Sequence, residues 1–65
     1  MTILGYRRLL GWSQRELAQQ AGLDSTATVR EAEKGEPVSS TTAMLIAEAF
    51  TNALGRRVLS VILSI

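Results

Sequence analysis

Residues 13–35 read SQRELAQQAGLDSTATVREAEKG, and this stretch decides the fold. It opens on Ser13-Gln14-Arg15-Glu16. A serine followed three residues later by glutamate is a capping box, in which each side chain satisfies the other residue's backbone N–H, so a helix starts here. Leu17, Ala18 and Ala21 then share one helical face. Gly22 takes the positive φ that ends the helix and lets the chain reverse. Asp24, Ser25, Thr26 and Thr28 are all able to cap a second helix. Thr28-Val29-Arg30-Glu31 is a capping-box pattern too, yet a start there leaves only about one and a half turns before Gly35. The spacing therefore favours a start near Ser25, with Val29 and Ala32 facing inward at i and i+3 and with Gly35 and Pro37 as the stop. Ala18 is small because the second helix crosses close to the first.

Outward from this unit the punctuation falls at Gly11, Gly35-Glu36-Pro37 and Gly55, and each piece has helix length. In residues 2–10, Ile3, Tyr6 and Leu10 lie on one face, with Arg7 beside it and Arg8 pointing elsewhere. Trp12 reads as a core residue. Downstream, PVSSTTA supplies Ser39 or Ser40 as the cap of a helix reaching about Ala53. Its apolar stripe is Ala43, Ile46, Ala47, Phe50 and Leu54, ending at Gly55. After Arg56-Arg57 the tail VLSVILSI, residues 58–65, carries six apolar residues: Val58, Leu59, Val61, Ile62, Leu63 and Ile65. So short an apolar run is read as a short helix or as a strand, either closing the core or pairing with a second copy. The expected fold is all-α, a compact bundle of four to five short helices in one domain over residues 1–65, with the helix–turn–helix unit at about 13–35.

Composition narrows the function. The chain has 65 residues, net charge +1, no cysteine and no histidine. Without cysteine there is neither a disulfide framework nor a thiolate metal site. No run approaches the roughly 18 apolar residues of a membrane span, and the N-terminus lacks the layout of a cleavable signal, so a cytoplasmic protein is expected. With its six carboxylates scattered among basic residues and no glycine-rich phosphate loop, the chain offers few nucleophile–base pairs. The expectation is a non-enzyme with no cofactor and no metal.

Gln14, Glu16, Leu17, Ala18, Ala21, Gly22, Glu33 and Gly35 match the SQ-x-E-L-A…A-G…E-x-G pattern of the lambda-repressor-like (Cro/phage-repressor, XRE-type) helix-turn-helix DNA-binding family. The chain resembles that family over about residues 2–55. The resemblance implies a sequence-specific transcriptional regulator, a Cro-like repressor that binds double-stranded DNA as a homodimer, with the second helix of the unit in the major groove of a near-palindromic operator. It implies a structural ion pair between Arg7, four residues before Gly11, and Glu33 of the E-x-G segment. Gln14 would touch phosphate and brace the recognition helix, and Lys34 matches a phosphate-contact position. Arg15, clustered with Arg30 and Lys34 beside the turn, is a third phosphate candidate. Thr26, Ala27 and Glu31 match groove-facing positions, with Thr28 and Arg30 as neighbours that take over if the helix is rotated. Glu31 would accept from a cytosine amino group, and Thr26 and Ala27 would meet a thymine methyl.

One spacing departs from the family. Six residues, 23–28, separate Gly22 from Val29 where five are usual, so one extra residue belongs to the turn or to the start of the recognition helix. The near-zero net charge, that extra residue and the apolar tail together favour an alternative from another class. In it the same scaffold is a protein-interaction module, antitoxin-like or recombination-accessory, docking a protein partner.

Overall fold

A hydroxyl starts every helix in the computed structural model, which describes residues 2–55: Thr2, Ser13, Ser25 and Ser39. Each accepts a first-turn backbone N–H, from Gly5 at 3.0 Å, Glu16 at 3.0 Å, Ala27 at 3.1 Å and Thr42 at 3.1 Å. These donors have no partner inside the helix, which is why short polar residues begin it. The helices that follow are α1 (Ile3–Leu9), α2 (Gln14–Ala21), α3 (Thr26–Glu33) and α4 (Ser40–Leu54). At α2 the capping box is complete, since the Ser13 N–H also donates to Glu16 Oε1 at 3.0 Å.

The first three helices end in the same closure. Gly22 N–H returns to Gln19 O at 3.1 Å and Leu23 N–H to Ala18 O at 2.9 Å. Gly11 and Trp12 do the same to Arg8 and Arg7, and Gly35 and Glu36 to Ala32 and Glu31. This pair of bonds requires a left-handed residue, and Gly22 sits at φ +71°. No atom crowds the place where a Cβ of residue 22 would stand, so a side chain there is opposed by backbone conformation alone. Gly22→Ala is expected to lower stability by about 1 kcal/mol, read as a shifted urea midpoint with unchanged slope; an unshifted midpoint would show that the turn tolerates L-residues.

The core draws on all four helices: Ile3 and Tyr6 of α1, Leu17, Ala18 and Ala21 of α2, Val29 and Ala32 of α3, and Ile46, Ala47, Ala49 and Phe50 of α4. Phe50, Leu17, Ile46 and Val29 are the largest side chains fully removed from water. Phe50 anchors the aromatic cluster, with the Tyr6 ring 5.2 Å away and the Trp12 ring stacked on it at 6.1 Å. Two details differ from the sequence pattern. Ala49 is buried while Ala43, Leu54 and Leu10 are only partly so, because α4 is covered over a wider arc than one stripe and Leu10 and Leu54 sit at helix ends. Trp12 is half-buried against the cluster. The apolar tail (Val58, Leu59, Val61, Ile62, Leu63, Ile65) and Arg56-Arg57 lie outside the described residues.

Candidate nucleic-acid interface

The physics of α3 divides its surface in two. Val29 and Ala32 are buried. With about 100° between successive residues, the direction opposite them is held by Ala27, Arg30, Glu31 and Lys34, at i, i+3, i+4 and i+7. Arg30, Glu31 and Lys34 are exposed, whereas Ala27 is half-buried. Thr26 and Thr28, on the flanks of this stripe, are half-buried as well. The structure thus gathers four of the sequence candidates into an outward row, with the two threonines along its edges. The six residues between Gly22 and Val29 divide into a connection, residues 23–25, and the first three residues of α3. Leu23 packs on the core and leaves Asp24 and Ser25 outside.

A polar hub fixes the position of α3. Arg7 Nε donates to Glu33 Oε2 at 2.5 Å and Nη2 to Oε1 at 3.2 Å, a bidentate fork between α1 and the end of α3. The two side chains are only 15% and 9% exposed. Gln14 Nε2 donates to the same Oε1 at 3.1 Å, so α2 is tied in too. Arg7 Nη1 reaches the Trp12 carbonyl at 2.9 Å. Burial pushes the Glu33 carboxyl up, but the hydrogen bonds from Arg7 and Gln14, with the charges of Arg7 and Arg8, outweigh it and hold its pKa below the ordinary value. The bond to Glu33 in turn raises the pKa of Arg7. Charge-assisted forks of this kind are among the strongest side-chain hydrogen bonds.

Two features of the hub go beyond the sequence reading. One is the Trp12 carbonyl, and its signal was present in Gly11: the left-handed turn there folds Trp12 N–H back onto Arg7 O at 3.0 Å. The other is the target of Gln14, whose amide braces α3 through Glu33 and retains a second N–H to donate. Arg15 and Lys34 are exposed, at the first turn of α2 and the C-cap of α3. Among the described residues no group of three or more metal-ligating side chains occurs, and no helix is long and apolar enough to cross a membrane.

Residues 3–52 match the model of a family described as helix-turn-helix. Curated proteins and solved structures yield no match to the chain.

Proposed function

The chain belongs to the lambda-repressor-like, XRE-type helix-turn-helix family and is a DNA-binding regulator of that type; from this premise we propose that it is a Cro-like repressor occupying a near-palindromic operator as a homodimer. The observation that carries the reading is the outward row of α3 on the side opposite Val29 and Ala32, where Arg30, Glu31 and Lys34 are exposed, while the hub holds the helix in place. An α-helix fits the major groove, and the Arg30 and Lys34 side chains supply local positive charge even though the net charge is only +1. Phosphate contacts follow local charge. Gln14, Arg15 and Lys34 are assigned to phosphate and Thr26, Ala27, Thr28, Arg30 and Glu31 to base edges.

Dimerisation follows from size. An eight-residue helix is about 12 Å long and spans few base pairs, so one copy alone binds modestly. A two-fold dimer presents two such helices about 34 Å apart, one turn of the duplex. We assign the contact to the apolar tail, residues 58–65, and the compartment to the cytoplasm. Val61→Asp or Ile62→Asp is expected to give monomers in sedimentation with helical circular dichroism intact. Unfolding of both variants would instead assign the tail to the core, and an unaltered dimer would remove both assignments. A protein-interaction role is the second reading, favoured by two large apolar side chains left in water among the described residues, Leu9 at 59% and Met44 at 45% exposure.

Selection from random duplexes at low and high salt tests the function. A repressor of this kind enriches a near-palindrome and loses affinity steeply as salt rises. Unselective binding would overturn the operator reading, and binding to a protein partner that persists in high salt would establish the alternative.

A further inference from the structure

We propose that Glu31 is the residue that sets base preference at one position of each half-site, selecting cytosine because no other base edge in the major groove offers its free carboxylate a donor without an adjoining acceptor. This rests on the reading of the α3 row as the groove-facing surface.

The helix-turn-helix unit has four acidic residues; Asp24 is exposed in the connection before α3, and the other three are not equivalent. Glu16 is engaged with the Ser13 N–H, and Glu33 is held by Arg7 and Gln14. Glu31 is exposed, and among the described residues no hydrogen bond or ion pair engages its carboxylate. It stands in the outward row one helical turn beyond Ala27, with Arg30 before it and Lys34 after it in the chain. A carboxylate placed there meets the most negative surface the protein will encounter. On DNA, Arg30 and Lys34 turn to phosphate or guanine. Glu31 must then find its own donor.

The major groove offers few donors. Guanine presents two acceptors and thymine a carbonyl, so both repel a carboxylate. Adenine presents an amino group beside an acceptor nitrogen, which a carboxylate meets only in part. Cytosine presents the amino group without an adjoining acceptor on the same base. The order of preference opposite Glu31 is therefore cytosine, then adenine, then thymine and guanine. One helical turn advances about 5.4 Å against about 3.4 Å per base-pair step, so this cytosine lies one or two steps from the base pair that meets Ala27. Away from a matching site the same charge repels the backbone, which lowers nonspecific affinity and widens the gap between operator and random DNA.

The test is duplex selection with the wild-type protein, Glu31→Gln and Glu31→Ala, with nonspecific affinity measured for each on a scrambled duplex at low salt. Glutamine has a donor and an acceptor side by side and pairs with adenine. The wild type is expected to enrich cytosine at one position per half-site. Glu31→Gln should change that position to adenine and leave the rest of the site intact, with discrimination altered about 10- to 100-fold. Glu31→Ala should lose the preference at that position alone, and both variants should bind scrambled DNA more tightly. Because Glu31 is exposed, melting temperatures should be unchanged, which separates the result from misfolding. Identical sites for wild type and Glu31→Gln would overturn this proposal and leave the operator reading standing. No enriched site for any of the three proteins would overturn both.

Discussion

Phe50→Ala is expected to remove most of the stability of this chain. Phe50 is fully buried and its ring meets Tyr6 of α1 and Trp12 of the following turn. Truncating a buried phenylalanine costs about 3–5 kcal/mol, transfer and cavity together. Total stability at this length is about 3–10 kcal/mol, so the loss is comparable with the whole. At about 4–8 °C per kcal/mol for so small a domain, the melting temperature should fall by more than about 12 °C in far-UV circular dichroism. Trp12 is the single tryptophan and stacks on the lost ring, so its emission should change in whatever folded fraction remains. Phe50→Leu keeps most of the volume and should cost about 1 kcal/mol. A Phe50→Ala protein melting within a few degrees of wild type would mean that Phe50 is not the anchor of the aromatic cluster described above.

What could be read from the sequence was set by local chemistry. Ser13 and Glu16 announce α2, and Gly22 its end, because capping and left-handed closure involve neighbours in the chain. Choosing Ser25 over Thr28 as the start of α3 needed only the count of turns before Gly35, and the hydrogen bond from Ala27 N–H agrees. What escaped was non-local. Whether Ala49 is buried depends on how many elements cover α4, and no periodicity within α4 carries that information. The target of the Gln14 amide could not be read either, since it is a carboxylate nineteen residues away brought near by the turn. The outward row of α3 is legible as the complement of Val29 and Ala32, but under the proposed function the pairing of its members with bases depends on a docking angle that the chain alone does not set.

The hub yields the second large effect, together with its pH dependence. Arg7→Ala strips Glu33 of the fork and leaves a nearly buried carboxylate with Gln14 as its remaining side-chain donor. Removing one member of a buried pair costs about 3–5 kcal/mol and of an exposed pair about 0–1. At 15% and 9% exposure this pair lies nearer the buried limit, so about 2–4 kcal/mol is expected, or a fall of roughly 10 °C or more. Arg7→Lys should recover only part of this, because a single ammonium cannot serve both carboxylate oxygens and the Trp12 carbonyl at once. The sign of the pH effect follows from Glu33, whose folded pKa lies below its unfolded value. In that window the unfolded chain binds more protons, so stability rises with pH. The contribution is complete above the unfolded pKa of about 4.3 and disappears as pH falls through the lower folded value. Urea unfolding of the wild type should therefore show a decline below about pH 4.5 that is smaller in Glu33→Gln, where the titrating group is gone. In Arg7→Ala the decline should flatten as well, for a different reason: burial, which pushes the carboxyl up, is no longer outweighed by the fork. Arg7→Ala with full stability, or Glu33→Gln with the wild-type acid slope, would show that the fork does not hold α3 to α1 in solution. Under the proposed function the consequence would reach DNA binding, because without that anchor α3 keeps only its packing through Leu23, Val29 and Ala32, the turn at Gly22 and the Gln14 bond to fix its angle.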